Sequence, residues 1–332
     1  MKGKLSHRER IEAIMRGEKP DRPAVSLWRH FYHREATAEG LAEAMLAYQK
    51  EYDWDFMKIN PRASHHVEDW GNRLEWSNDE FKKHRKKVFA INRIEDWDKI
   101  EVLDSTAGVL GEHLKAIALI ARGSGKDLPM FMTVFSPFSI AGDLVSDGKM
   151  LLNHLEKDPK RVLAALEKIT ITFEHHATEI RNAGADGLFF ATTEWASSDV
   201  MSYEQYEKFA RPYDLRILRA ALDGLNILHV CGSNNFLREL SDYPVSLVNW
   251  ESHNPTNLNL DKGLDILKGK TAIGGIDHSG WLLRATPAEV KNEIARLKER
   301  YLDRRLIFGP GCTYEPSVPK ENIAALREGL SI

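Results

Sequence analysis

The chain has 332 residues, of which 42% are apolar and 29% charged, and a net charge of −3. That balance excludes collagen-like, coiled-coil and long disordered chains, and it leaves no electrostatic footprint for nucleic acid or an anionic membrane surface. Two cysteines are too few for a disulfide framework, so a reduced, cytoplasmic setting is expected, with each cysteine read as a ligand or nucleophile rather than a staple.

The charged opening, MKGKLSHRERIEAIMRGEKPDRP, lacks the apolar centre of a signal peptide. No stretch approaches the roughly 20 apolar residues of a spanning helix. The first helix is expected to start at Ser6, with Glu9 as its capping-box partner, and to end at Gly17. Pro20 and Pro23 then break the chain ahead of the apolar run Ala24–Trp28. Seven more short apolar, β-branched or aromatic runs follow: Phe56–Asn60, Met130–Phe135, Gly187–Thr192, Asn226–Val230, Val245–Trp250, Thr271–Ile276 and Arg305–Gly309. Helical periodicity covers 37–52, 105–122, 159–183, 203–223, 256–268 and 286–302, the last opened by the cap, proline and box of Thr286, Pro287 and Glu289. Strands alternating with helices predict βαβ units, and eight of them predict a (β/α)₈ TIM barrel in the α/β class. One such domain spans 1–332. Its insertion, 61–129, between the second and third strands is polar, aromatic and charged, and is expected to form a small hairpin beside the mouth and then a helix.

In such barrels the active site lies at the C-terminal strand ends. The residues found there are Arg29 and His30; Asn60; Ser136; Glu194; His229 and Cys231; Glu251 and His253; Asp277 and His278; and Cys312. His229 and Cys231 stand two apart in an extended segment and so point the same way. Cys312, the second of the two cysteines, follows the last strand. One imidazole and two thiolates form a soft, zinc-type set with one coordination position left over. The competing reading is that both cysteines are buried filler. Glu194, Glu251 and His253 are each candidates for a fourth ligand or an acid–base group, and Asp277 for orienting a substrate or binding its neighbour's backbone. The basic run Lys82–Lys87 reads as a solvated loop or a surface for an acidic partner. His65–His66 and His175–His176 are discounted as metal pairs, because adjacent side chains diverge.

Four segments resemble the uroporphyrinogen decarboxylase superfamily: RIEAIMRGEKPDRPAV, AGADGLFF, HVCG and GPGCTYEPSVPKENIAAL. The resemblance spans nearly the whole chain and implies a (β/α)₈ barrel. In the family's decarboxylases an Arg-Gln-Ala-Gly-Arg loop follows the first strand, and an aspartate after the second holds the pyrrole nitrogens. Here the loop reads Arg29–His30–Phe31–Tyr32–His33, and Asn60 stands at the aspartate's position. A neutral amide does not stabilise a protonated pyrrole as a carboxylate does. The corrinoid-dependent methyltransferase branch instead carries His-X-Cys and a late Cys in a Gly-rich segment, and these match His229, Cys231 and Cys312. The resemblance thus implies Zn²⁺ on those three residues and a corrinoid, as free cobalamin or on a corrinoid protein. It also implies a small methyl donor or acceptor, with Glu194 or Glu251 as catalytic groups and Arg29, Asn60 and Asp277 toward the cofactor. The alternatives are a porphyrinogen decarboxylase and a non-catalytic tetrapyrrole or corrinoid binder.

Overall fold

The computed structural model describes residues 4–330. Its strands, in chain order, are β1 (Met57–Ile59), β2 (Arg73–Glu75), β3 (Arg85–Val88), β4 (Met130–Phe135), β5 (Gly187–Ala191), β6 (Ile227–Val230), β7 (Leu247–Trp250), β8 (Thr271–Ile276) and β9 (Leu306–Pro310). Seven of them form one sheet in the order β1-β4-β5-β6-β7-β8-β9, and every neighbouring pair in it is parallel. β2 and β3 form a separate antiparallel ribbon.

The first of the eight expected runs, Ala24–Trp28, is extended but forms only one ladder bridge, Val25 to Phe308. It nevertheless touches both edges of the sheet. Ser26 N–H donates to Phe308 O and Phe308 N–H to Ala24 O on one side, while Asp55 N–H donates to Val25 O on the other. Ser26 Oγ adds a hydrogen bond to Phe56 O at 2.7 Å.

The sheet curls so that alternate side chains from all its strands share one interior. Phe56, Phe131, Phe189, Ile227, Leu247, Ile273 and Ile307 meet there in a single apolar cluster with Trp28. Side chains of opposite parity, such as Met132, Leu188, Leu228 and Val248, join the larger core beneath the surrounding helices. Because successive strand residues alternate faces, the interior parity continues upward from Phe56 to Lys58 and Asn60, from Phe131 to Thr133, from Ile227 to His229 and from Leu247 to Asn249. The interior therefore changes from apolar at the N-terminal strand ends to polar at the C-terminal ends.

The capping signals hold where they were expected. Ser6 and Glu9 form a reciprocal capping box ahead of His7–Met15, and Thr286 and Glu289 do the same ahead of Pro287–Tyr301. The periodic stretch 203–223 is two helices, Tyr203–Phe209 and Arg211–Ala220. Pro212 lies in the first turn of the second, where its missing N–H is no loss, and so the chain restarts rather than continues. Helix Pro137–Leu144 escaped the sequence reading because it is buried nearly all round and shows no polar face. Between β1 and β4 the chain carries the β2–β3 ribbon and the helix Gly108–Ser124. Among the described residues no helix is long and apolar enough to cross a membrane.

Candidate metal centre

His229 is the third residue of β6, Cys231 follows that strand, and Cys312 lies just beyond β9. β6 and β9 are separated by β7 and β8 in the sheet, so the three side chains meet over its end rather than along a ladder. The two sulfurs are 3.7 Å apart, and Cys312 Sγ is 3.6 Å from His229 Nε2. Among the described residues this is the one cluster of metal-ligand type, with its ligand atoms within 4.8 Å of one another. Four-coordinate zinc, at about 2.3 Å to sulfur and 2.0–2.1 Å to nitrogen, would space its sulfurs roughly 3.8 Å apart and set sulfur and nitrogen roughly 3.6 Å apart. The donors present match that spacing.

Asn249, which the sequence reading did not single out, sets the imidazole. The β6–β7 register places it directly beside His229. Its amide nitrogen donates to Ile273 O and Pro310 O, both at 2.9 Å, so its Oδ1 is left to accept from His229 Nδ1–H at 2.6 Å. With Nδ1 carrying the hydrogen, Nε2 offers its lone pair toward the sulfurs. Such outer partners fix tautomer and ring orientation in metal-binding histidines. Between the cysteines, a single S–H is shared between the two sulfurs at 3.7 Å. That bond holds the Cys231 thiol well above its ordinary range and pulls Cys312 well below it.

A cavity of about 360 Å³ opens beside the three residues, and Trp28, Lys58, Asn60, Phe189 and Glu194 also line it. Its size suits a small ligand. The β2–β3 ribbon reaches it through Lys83 and Lys86, and Lys86 is ion-paired with Asp143. The basic run is therefore partly committed, since Arg85 and Lys87 both pair with Glu75. Thr193 lines the cavity in the left-handed region at φ 48°, unusual for a β-branched residue. Its hydroxyl sits 2.7 Å from Ser139 Oγ, which also donates to Thr192 O at 2.9 Å and so braces the turn that presents Glu194.

The remaining expected residues separate. Glu194 is exposed on the cavity wall. Glu251 packs against the Gly311 backbone, where a Cβ would fall 2.9 Å from its Oε1, and its Oε2 is 3.4 Å from His278 Nε2. Burial, helped by the neighbouring Cys312, lifts the Glu251 carboxyl to about 7. Neither glutamate joins the three-residue cluster at ligand distance. Asn60 lines the cavity and accepts from Lys58 Nζ at 3.0 Å. Arg29 does not line it; its guanidinium is buried against Glu80 at 2.8 Å and the Pro316 carbonyl. Asp277 Oδ1 accepts from the Ser279 N–H and hydroxyl, the backbone-binding role weighed for it above. His65 and His66 are buried away from the cluster, with His66 Nε2 2.8 Å from Asp143.

A parallel α/β sheet with a thiolate–imidazole cluster over its C-terminal end defines the general class. The chain matches the uroporphyrinogen decarboxylase (URO-D) family over residues 6–330 and belongs to that family. Among curated relatives, methylcobamide:CoM methyltransferase MtbA of Methanosarcina acetivorans is 27% identical over 242 residues, spanning 72% of this chain and 68% of that protein. Methylcobamide:CoM methyltransferase MtaA of Methanosarcina barkeri is 28% identical over 221 residues, spanning 64% and 61%. A solved structure described as a methyltransferase from Methanosarcina mazei shares the fold with a TM-score of 0.83 at 21% identity, covering 98% of both chains. A B12-independent methionine synthase from Shewanella sp. W3-18-1 reaches 0.57 at 12% identity, covering 92% of this chain and 96% of that one.

Proposed function

We propose that this chain transfers a methyl group between a corrinoid and a small substrate, using Zn²⁺ held by His229, Cys231 and Cys312. The observation that carries this reading is the donor spacing, 3.7 Å between sulfurs and 3.6 Å from sulfur to imidazole, beside a ligand-sized cavity. Membership of the URO-D family and the named activities of the methylcobamide:CoM relatives support it. The fold is proposed to be a complete (β/α)₈ barrel in one domain, with Ala24–Trp28 as its eighth stave and 61–129 as the insertion.

When bound, zinc would supply Lewis acidity that turns a thiol into a thiolate or polarises the leaving atom of a methyl donor, and the corrinoid would carry the methyl group. The chain's own residues prepare the ground for both. Asn249 holds the His229 ring in its ligating tautomer. Trp28 and Phe189 shield one wall of the cavity from water. Glu251, whose carboxyl is lifted to about 7 and whose Oε2 lies 3.4 Å from His278 Nε2, is the group we assign to take the proton released by an incoming thiol. Glu194, exposed on the cavity wall, is the group we assign to protonate a donor's leaving atom. Decarboxylation of a porphyrinogen fits less well: the Asn60 amide already accepts from the Lys58 ammonium, and a protonated pyrrole beside that ammonium would be repelled.

Elemental analysis of the wild type and of Cys312→Ser tests the reading. About one zinc per chain, lost in the variant together with methyl transfer between methylcobalamin and a thiol, is the expected result. Metal-free wild type prepared without chelators would sink it.

A further inference from the structure

We propose that the β2–β3 ribbon, with its connecting loop 76–84, is a gate over the cavity. Closed, it screens Cys231 and Cys312 from large molecules; open, it swings out about its base and lets one reach them. The gate's purpose rests on the methyl-transfer reading, but its movement can be read without it.

The base of the ribbon is fastened on both strands. Asn72 is buried; its Nδ2 donates to Asp143 O and its Oδ1 accepts from the Ala90 N–H, both at 2.8 Å. Ile91 is buried in the main core, donates its N–H to Leu144 O at 3.1 Å and bridges to Val145. Between these fixed points the arm 73–88 is held differently. Only His84 within it is buried. Among the described residues its backbone hydrogen bonds stay inside the ribbon. None of its apolar side chains, Leu74, Trp76, Phe81 and Val88, belongs to either core cluster, and the last three are 43%, 58% and 46% exposed.

The arm is held instead by a few charged and polar side chains on the cavity's rim. Lys86 pairs with the Asp143 carboxylate, and Glu80 with Arg29 at 2.8 Å. His84 Nε2 lies 3.3 Å from the buried Glu35 carboxylate, and its ring stands edge-on to Tyr32. The Arg62 guanidinium is 5.4 Å from the Trp76 ring centroid. Exposed ion pairs contribute little each, and a segment with few buried apolar contacts opens at low free-energy cost. Gly71 supplies a pivot at the base: its φ is 113°, in the left-handed region, and a Cβ there would meet nothing within 4 Å.

The position of the arm gives the opening its consequence. Lys83 and Lys86 line the same cavity as Cys231 and Cys312. At about 360 Å³ that cavity suits a small molecule and not a corrin macrocycle with its ring of side chains. A methyl group moving directly between a small substrate and a corrinoid needs both in one space, so the wall formed by the arm has to give way. The turn of Arg29 toward Glu80 is then a feature of the closed gate.

Alkylation reports the opening, because the chain's two cysteines both line the cavity. Full-length, chelator-treated protein is reacted with N-ethylmaleimide and with the broad, flat N-pyrenylmaleimide, each rate taken relative to that with free cysteine. The pyrenyl-to-ethyl ratio cancels the reactivity of the thiols themselves. An open state populated at roughly 0.1–10% leaves this ratio well below one in the wild type, and the double variant Glu80→Gln, Lys86→Met should raise it about tenfold. Hydrogen–deuterium exchange of 73–88 should quicken in that variant while Asn72 and Ile91 stay protected. Arg85→Gln, which breaks only a pair with Glu75 inside the ribbon, should keep the wild-type ratio. A wild-type ratio near one, or equal ratios in wild type and double variant, would overturn the gate, as would a rise in Arg85→Gln as large as in the double variant. A gated ratio in a protein that moves no methyl group between methylcobalamin and thiols would leave the gate standing while the methyl-transfer reading fails. Methyl transfer by a protein with an ungated ratio would do the reverse.

Discussion

Asp55 and Lys58 lie three residues apart on one buried segment, and the fold treats their charges in opposite ways. Asp55, at the N-terminal end, accepts from Arg10 and Arg22 at 2.6 and 2.7 Å, from His7 at 3.0 Å and from the Val25 N–H at 2.8 Å. Burial alone would raise its carboxyl, but the hydrogen bonds from His7 and Arg22 and the arginine charges hold it at about 2. Lys58, at the opposite end, has one neutral partner and an aromatic face. A saturated buried charge ties the opening helix to the sheet, whereas Lys58 is left with open donor positions on the wall of the cavity. The N-terminal strand ends are built for cohesion, and the C-terminal ends carry the open valences: two cysteine sulfurs, a lifted carboxyl and an ammonium with one neutral hydrogen-bond partner.

The largest effect expected on either side of that contrast is at the metal cluster. Cys312→Ala should reduce methyl transfer to background and remove the metal, while apo-protein melting stays close to wild type, as differential scanning calorimetry would show. At the other end, Asp55→Ala should cost about 3–5 kcal/mol in urea unfolding, because two arginines lose a buried counter-charge. Asp55 also sets an acid limit. Its folded pKa lies below its unfolded value, so its contribution is present above about pH 4 and is lost as pH falls toward 2. Asp55→Asn should flatten the stability profile in that window. Equal acid sensitivity of wild type and variant would place the charge balance elsewhere.

A smaller change is expected from Asn249→Leu. It leaves the three ligands in place but frees the His229 ring, and competition with a chelator should show metal affinity falling about 10–100-fold. Unchanged affinity would mean that packing against Phe189, whose ring centroid lies 5.1 Å away, holds the imidazole without help. The smallest effect belongs to the first helix. Ser6→Ala removes a cap that accepts from Glu9 N–H at 3.3 Å and should cost about 1 kcal/mol, with metal content and transfer untouched.

Legibility followed the range of each interaction. His229 and Cys231 were readable because a two-residue spacing in a strand fixes their common direction, and Cys312 because the chain has only one other cysteine. Lys58 and Asn249 were not readable as site residues. Each is a polar residue flanked on both sides by apolar ones inside a largely apolar run, Phe56–Asn60 and Val245–Trp250, and reads locally as an imperfection. The usable signal was parity: each shares the inward face of its strand with apolar cluster members, Phe56 and Leu247. Arg29 shows the converse. It sits at a strand exit and matches a family position, yet its guanidinium turns toward Glu80, because a carboxylate 51 residues away was closer than the cavity.

The amino-acid sequence by itself determined the alternation of strands and helices, the capped helix starts and the residue types able to bind a soft metal, since periodicity, capping and donor chemistry act within a few residues. Only the tertiary structure decided which donors share a volume: Cys231 with Cys312 across 81 residues, Asn249 beneath His229, Lys58 left without a counter-charge, and Arg29 turned away. Those outcomes depend on the curl and register of the sheet, set by contacts among strands distant in the chain.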